Sequence, residues 1–201
     1  GGMADSIRHM LAPDGVFVFE AQYLLDIIDK MLLGTIFHEH LCYHAVMACP
    51  DNAVMNAHAL QAAYDNTVRH FIFLSCSVMY QPDTGKPVKE SDFNSTDELH
   101  KNYFGPGWTK IYGEKLCEFY SRLGRTKFTV IRHSNIYGPY DKYDLERSHV
   151  FGATVTKVLT AKDTVTVWGE GKEERDLIHV SDLVRFVERA MLWPSEVLPT
   201  P

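Results

Sequence analysis

An α/β fold, built as a doubly wound and mostly parallel sheet, is what this sequence predicts, and three observations predict it. Short apolar, β-prone runs recur at residues 16–19, 71–74, 128–131 and 165–168, each the length of a buried strand and too short for a helix. Between them lie stretches whose apolar residues fall at helical spacing, and strands alternating with helices imply a parallel sheet covered on both faces. Finally, 201 residues with 45% apolar and 23% charged content suit one core-bearing domain, or one and a half.

In chain order, residues 6–11 form a helical end stopped by Pro13-Asp14-Gly15, a turn sequence. The strand Val16-Phe17-Val18-Phe19 follows, and then Leu24, Leu25, Ile27, Ile28, Met31 and Leu32 stand at helical spacing. After Gly34 comes a histidine cluster, His38, His40 and His44. This front piece, residues 1–46, is too short to bury a core of its own, so the chain is divided there from a second unit, residues 47–201. In the second unit Asp51 or Asn52 caps a helix to about residue 66, with Val54, Ala57, Leu60 and Tyr64 along one face. Phe71-Ile72-Phe73-Leu74 is a buried strand that ends in Ser75-Cys76-Ser77. Residues 81–102 carry Pro and Gly without a period and read as loop.

The next helix is marked by Leu116, Phe119, Tyr120 and Leu123 and closed by Gly124. Residues 128–131 are again strand, and a loop rich in Tyr, Gly and Pro runs to Ser148. A helix over residues 150–159, a strand over 165–168 and a strand over 177–180 come next. The last helix is capped by Ser181 and turns Leu183, Val184, Val187 and Met191 inward.

Composition excludes several classes of partner. A net charge of −6, with no basic stripe, argues against nucleic acid. No apolar run approaches the roughly 18–20 residues that cross a bilayer, so no membrane partner is expected. Cys42, Cys49, Cys76 and Cys117 are scattered without a C-x-x-C pair, which signals neither a disulfide framework nor zinc. The start lacks the basic-then-apolar pattern of a secretory signal. A reducing cytoplasm is the expected location.

Ligands of an open parallel sheet gather beyond the carboxyl ends of its strands. Three such ends carry polar clusters here: Ser75-Cys76-Ser77, residues 132–140 and residues 169–175. Lys110, in Gly107-Trp108-Thr109-Lys110, starts the long helix between the first two. Four ordered strings, FIFLSCSVMY, GWTKIYGEKLCEFY, VIRHSNIYGPYD and VWGEGKEERDLIHVSDL, resemble the extended short-chain dehydrogenase family over residues 51–190. That family holds nucleotide-sugar epimerases, dehydratases and fucose-synthase-like enzymes. The resemblance implies a Rossmann-like fold with a small C-terminal substrate-side region. It also implies NAD or NADP as cofactor and a nucleoside-diphosphate sugar as partner.

Chemistry in the family needs a phenol that shuttles a proton while hydride passes between a sugar carbon and nicotinamide. A lysine four residues on lowers the phenol's pKa by its charge and holds the ribose hydroxyls. Lys110 matches the lysine, and its place near a helix start, where the dipole disfavours a cation, makes an idle surface lysine the poorer reading. Four residues earlier stands Pro106, which has no proton to give. Tyr103, seven residues earlier and separated by Gly105-Pro106-Gly107, lies in the loop feeding the helix. A partly helical approach aims it at the site, and an ordinary loop aromatic is the equal alternative.

The family's serine or threonine position falls on Cys76, with Ser77 beside it and Ser75 and His133 on the cofactor side. A thiol is the weaker donor, and a small buried filler is the rival reading of Cys76. Asn135, with Tyr137, Gly138 and Pro139, matches the substrate-side loop. Arg175 matches an arginine that grips the diphosphate, where charge-assisted pairing suits phosphate oxygens. A solvated charge among Lys172, Glu173 and Glu174 is the alternative.

The front piece is similar, over residues 4–46, to the S-adenosylmethionine-dependent sugar C-methyltransferases. The strings LAPDGVFVFEAQYLLDIIDK and TIFHEHLCYHAV carry this likeness, with Phe37 where a tyrosine is usual before His38, Glu39 and His40. A metal site at His38, His40 and His44 is the chemical rival, without a carboxylate or cysteine spacing to support it.

A dinucleotide fold opens on a strand and a glycine-rich loop that lets the backbone approach pyrophosphate, and no such string precedes residue 51. The fold is therefore expected to be incomplete on its N-terminal side, completed by a homodimer or a partner chain. The expected function is a nucleotide-sugar oxidoreductase or epimerase. A non-catalytic nucleotide-sugar-binding module and a methyltransferase fragment are the alternatives.

Overall fold

The structure is a computed structural model. It describes residues 16–19, 45–80, 87–145, 148–167 and 174–192, with backbone alone for 16–19 and 45–51. The elements are β1 (Val16–Phe19), α1 (Ala45–Asp65), β2 (His70–Cys76), α2 (Phe104–Arg122), β3 (Lys127–His133), β4 (Asn135–Tyr137), α3 (Val150–Thr160), β5 (Leu177–His179) and α4 (Val180–Leu192). Strands β1, β2 and β3 lie side by side in that order, all parallel. Strands β4 and β5 form a separate parallel pair.

β2 is the centre of the molecule, and all seven of its residues are buried. Alternation along a strand sends successive side chains to opposite faces, and the two sets meet different helices. Phe71 and Phe73 pack with Ala59, Leu60 and Ala63 of α1 and Cys117 of α2. Ile72 and Leu74 face the other way, onto Ile131, Ile136 and, from α4, Leu183 and Ala190. Each fully buried Phe or Leu contributes about 1.5–3 kcal/mol relative to exposure, so the run Phe71-Ile72-Phe73-Leu74 anchors both layers at once. The expected doubly wound α/β arrangement is what forms.

α2 descends against β2. Gly107 approaches Val78 and Leu99, and Gly113 lies on the ring of Phe73. Cys117 joins the cluster at Phe71, where burial pushes its thiol pKa up. Gly113 has a specific reason to be glycine: a Cβ there would stand 2.5 Å from Phe73 Cζ. Gly124 takes φ +79° after the helix, the left-handed turn that glycine permits.

Several expectations are corrected. α1 begins at Ala45 and runs through Pro50, rather than starting at a cap on Asp51 or Asn52. Pro50 is the sixth residue of this helix and lacks the N–H that would bond back one turn. Residue 46 lies within α1, and β1 pairs with β2, Val16 opposite His70. On α1 Val54 is exposed, while Asn56, Ala59, Leu60 and Ala63 are buried.

The strand expected at 165–168 does not form over its described residues. Val165 and Val167 are exposed and lie outside any strand, and an apolar run becomes strand only where a neighbouring strand pairs with it. On α4 the inward residues are Leu183, Val187 and Ala190, not Val184 and Met191. The helix starts at Val180, one residue before Ser181. Residues 6–11 and the cluster of His38, His40 and His44 lie outside the described residues. No helix among the described residues is long and apolar enough to cross a membrane, and no three His, Cys, Asp or Glu among them gather as metal ligands.

Candidate functional site

The carboxyl ends of β2 and β3 are level, with Ser75 opposite Arg132 and Cys76 opposite His133. Ser75 and Cys76 are buried at 0% and 2% exposure, whereas Ser77 is exposed and begins a short 3-10 turn, Ser77–Met79. The Ser75 hydroxyl points at the Met79 sulfur, 3.7 Å away. Of these three, Ser77 is the one a ligand in solvent reaches directly. His133 is buried, and its Nδ1 lies 2.7 Å from the Ser134 carbonyl oxygen.

α2 brings Lys110 to this end. Its Nζ donates to the Leu74 carbonyl at 2.7 Å and lies 5.5 Å from the centre of the Phe73 ring. One main-chain acceptor uses one of the three ammonium donors, and the group is half-buried at the open end of a parallel sheet. That donor set suits a ribose diol.

Tyr103 ends a 3-10 turn, Lys101–Tyr103, and stands immediately before the first residue of α2. Tyr103 thus enters α2 from a 3-10 turn rather than from an irregular loop. Pro106 sits in the first turn of α2, where its absent N–H costs nothing. Seven residues separate Tyr103 from Lys110, about 10 Å of helical rise. Tyr103 meets His100, ring centres 5.5 Å apart, and its hydroxyl lies 3.5 Å from Arg175 Nη1.

The β4–β5 pair ties Asn135 to the residue that follows Arg175. Asn135 lies opposite Leu177, and both its main-chain N–H and its side-chain amide donate to the Asp176 carbonyl, at 3.3 and 3.2 Å. Arg175, the preceding residue, is exposed. The guanidinium of Arg175 thus reaches the phenol of Tyr103, while the amide of Asn135 is held on the main chain one residue further on. Beyond β4 the chain turns at Tyr140, whose φ of +70° is left-handed for a non-glycine residue and whose side chain is 96% exposed.

A network absent from the sequence reading lies at the carboxyl end of β3, where Arg132 stands opposite Ser75. Arg132 points its Nε and Nη2 at both Glu114 oxygens, at 3.0 and 2.7 Å, while Nη1 donates to the Tyr80 hydroxyl at 3.0 Å. The guanidinium lies over the rings of Phe93 and Tyr80, at 4.8 and 5.3 Å. Burial works to lower the Arg132 pKa, and the hydrogen bonds to Glu114 and Tyr80 more than offset it, holding it above its ordinary value. A charged residue inside an apolar strand was the signal: a buried charge requires a partner.

Residues 44–199 match the model of the NAD dependent epimerase/dehydratase family. Over 211 aligned residues the chain is 29% identical to GDP-L-colitose synthase of Yersinia pseudotuberculosis, covering 93% of this chain and 68% of that protein. It is also 29% identical to a GDP-L-fucose synthase of Azorhizobium caulinodans, covering 78% of this chain and 53% of the other. The fold is similar to that of a GDP-L-fucose synthetase from Naegleria fowleri bound to NADP, with a TM-score of 0.66, 20% identity, and coverage of 88% and 54%. The chain thus spans about half to two-thirds of the length of these relatives. The likeness read from the four strings holds. The methyltransferase likeness of residues 4–46 finds no support, since the alignment to the colitose synthase covers 93% of the chain and so reaches into that piece.

Proposed function

Because the chain belongs to the NAD dependent epimerase/dehydratase family, we propose that it carries the nicotinamide-side and sugar-side parts of a nucleotide-sugar reductase or epimerase site. The observation that carries this reading is the approach of Arg175 to Tyr103, 3.5 Å apart, with Lys110 on the Leu74 carbonyl near the end of β2 and Asn135 bonded to Asp176, the residue after Arg175. A guanidinium beside a phenol and an amide suits a substrate with phosphate at one end and a sugar carbonyl or hydroxyl at the other. GDP-sugars are the class named for the two curated relatives above.

Lys110 would hold the ribose hydroxyls of NAD or NADP, with buried Ser75 and His133 supporting the strand ends beneath the cofactor side. When bound, the dinucleotide supplies or accepts hydride. This chain's own residues do the remaining work. Tyr103 gives a proton to the sugar oxygen or takes one from it, Ser77 or Cys76 orients that oxygen, and Arg175 with Asn135 anchors the nucleotide.

Calorimetric titration with a GDP-sugar tests the reading. Arg175→Ala removes one charge-assisted phosphate contact and is expected to cost about 1.5–3 kcal/mol of binding, roughly a 10- to 150-fold rise in Kd. Unchanged affinity returns Arg175 to the solvated charges. No binding by the unaltered chain removes the sugar-nucleotide reading altogether.

A further inference from the structure

Two consecutive rungs of the sheet are tied to α2. Leu74, opposite Ile131, receives Lys110, and Ser75, opposite Arg132, is the rung whose partner reaches Glu114. Lys110 and Glu114 are four residues apart, so they occupy one face of the helix a turn apart. Lys110 alone is a single point contact on a flexible stem. The Arg132–Glu114 fork is planar, bidentate and mostly buried, with the two side chains 18% and 11% exposed. A fork of this kind fixes an angle as well as a distance.

The same guanidinium reaches the opposite way, to the Tyr80 hydroxyl and, at 3.4 Å, to the Glu90 carbonyl. Tyr80 follows the turn that carries Ser77. Glu90 begins another 3-10 turn, and Phe93, just after it, packs edge-on against Tyr80 at 6.1 Å. One side chain therefore joins β3, α2 and both described ends of the segment that leaves β2.

We infer that Arg132 is a positioning residue. Its fork on Glu114 sets the roll of α2 that holds the Lys110 ammonium at the end of β2, while its other contacts keep the Ser77 turn over the same end. The functional weight of this rests on the proposed role of Lys110. A purely stabilising role would look different, since a buried ion pair is commonly replaceable by apolar residues without loss of stability.

The test uses the whole chain without ligand and reads acetylation of individual lysines by N-hydroxysuccinimide acetate, followed by peptide mass spectrometry. In the unaltered chain Lys110 reacts slowly, held by the Leu74 carbonyl. In the double variant Arg132→Met/Glu114→Leu no unpaired charge remains. Its unfolding midpoint is expected to stay within about 4 °C of the parent, while Lys110 acetylation accelerates at least about 5-fold. Lys115, on the exposed side of the same helix, and Lys127 on β3 keep their rates.

Arg132→Lys retains the charge and loses the fork, and Lys110 is expected to speed up there as well, so the test stands if the double variant does not fold. A folded variant of either kind in which Lys110 stays as protected as in the parent overturns the inference. So does equal acceleration at all three lysines, which marks general loosening. Because no ligand is used, this result and the Arg175→Ala titration fail independently.

Discussion

His70 makes the stability of this fold depend on pH in a calculable way. The imidazole is 3% exposed at the start of β2, with Nε2 hydrogen-bonded to Thr129 Oγ1 at 2.8 Å. Burial first, and then the nearby charges of Lys127 and Arg69, push its pKa from 6.5 down to about 4. Between those values the unfolded chain binds a proton that the folded chain refuses, so stability is full above pH 6.5 and is lost as pH falls towards 4. A shift of this size is worth about 3 kcal/mol in full, of which about 2.5 kcal/mol is lost by pH 4.5. That is a large share of a total stability of about 5–15 kcal/mol.

The assay is urea denaturation at pH 7.5 and pH 4.5, on the parent and on His70→Gln, which keeps an amide for Thr129 and does not titrate. Every other pH-dependent contribution is common to the two proteins and cancels in the difference. His70→Gln is expected to lose about 2–3 kcal/mol less than the parent between the two pH values. Equal losses in the two proteins refute the reasoning and mean that His70 takes up its proton in the folded state.

Gly113→Ala should lower the unfolding midpoint by several degrees. Its Cβ would meet Phe73 ring atoms at 2.5 and 2.9 Å, and overpacking of about 1–3 kcal/mol outweighs the roughly 1 kcal/mol gained in helix propensity; thermal unfolding by circular dichroism decides it. In any preparation that turns over, Tyr103→Phe should cut kcat by about 10²–10⁴-fold with little change in KM, and Lys110→Met should harm both. Full activity in Tyr103→Phe moves the proton to Cys76, Ser77 or a bound water. NADH fluorescence titration of this chain alone should show weak binding, because no glycine-rich loop precedes residue 51; saturation in the micromolar range shows that another segment cradles the pyrophosphate.

Local physics was enough to read much of this protein from its sequence. The runs Phe71-Ile72-Phe73-Leu74 and Phe128-Thr129-Val130-Ile131 announce buried strands by composition and length, and both are strands. Gly124 marks the end of α2, because a left-handed turn favours glycine, but the start expected at Lys110 is corrected to Phe104, six residues earlier. What failed was whatever depends on partners distant in the chain. Residues 165–167 look like a strand but pair with nothing described, while the three residues of β4 are too short to announce themselves and become strand because β5 lies beside them. The roll of α4, which chose Ala190 over Met191, is set by what Ile72 and Leu74 present to it. The meeting of Tyr103 with Arg175, across 72 residues of chain, was decided by the tertiary structure alone. So was the reach of Arg132 to Glu114 and Tyr80: a sequence states that a buried charge needs a partner, and only the packing of four elements determines which partner it finds.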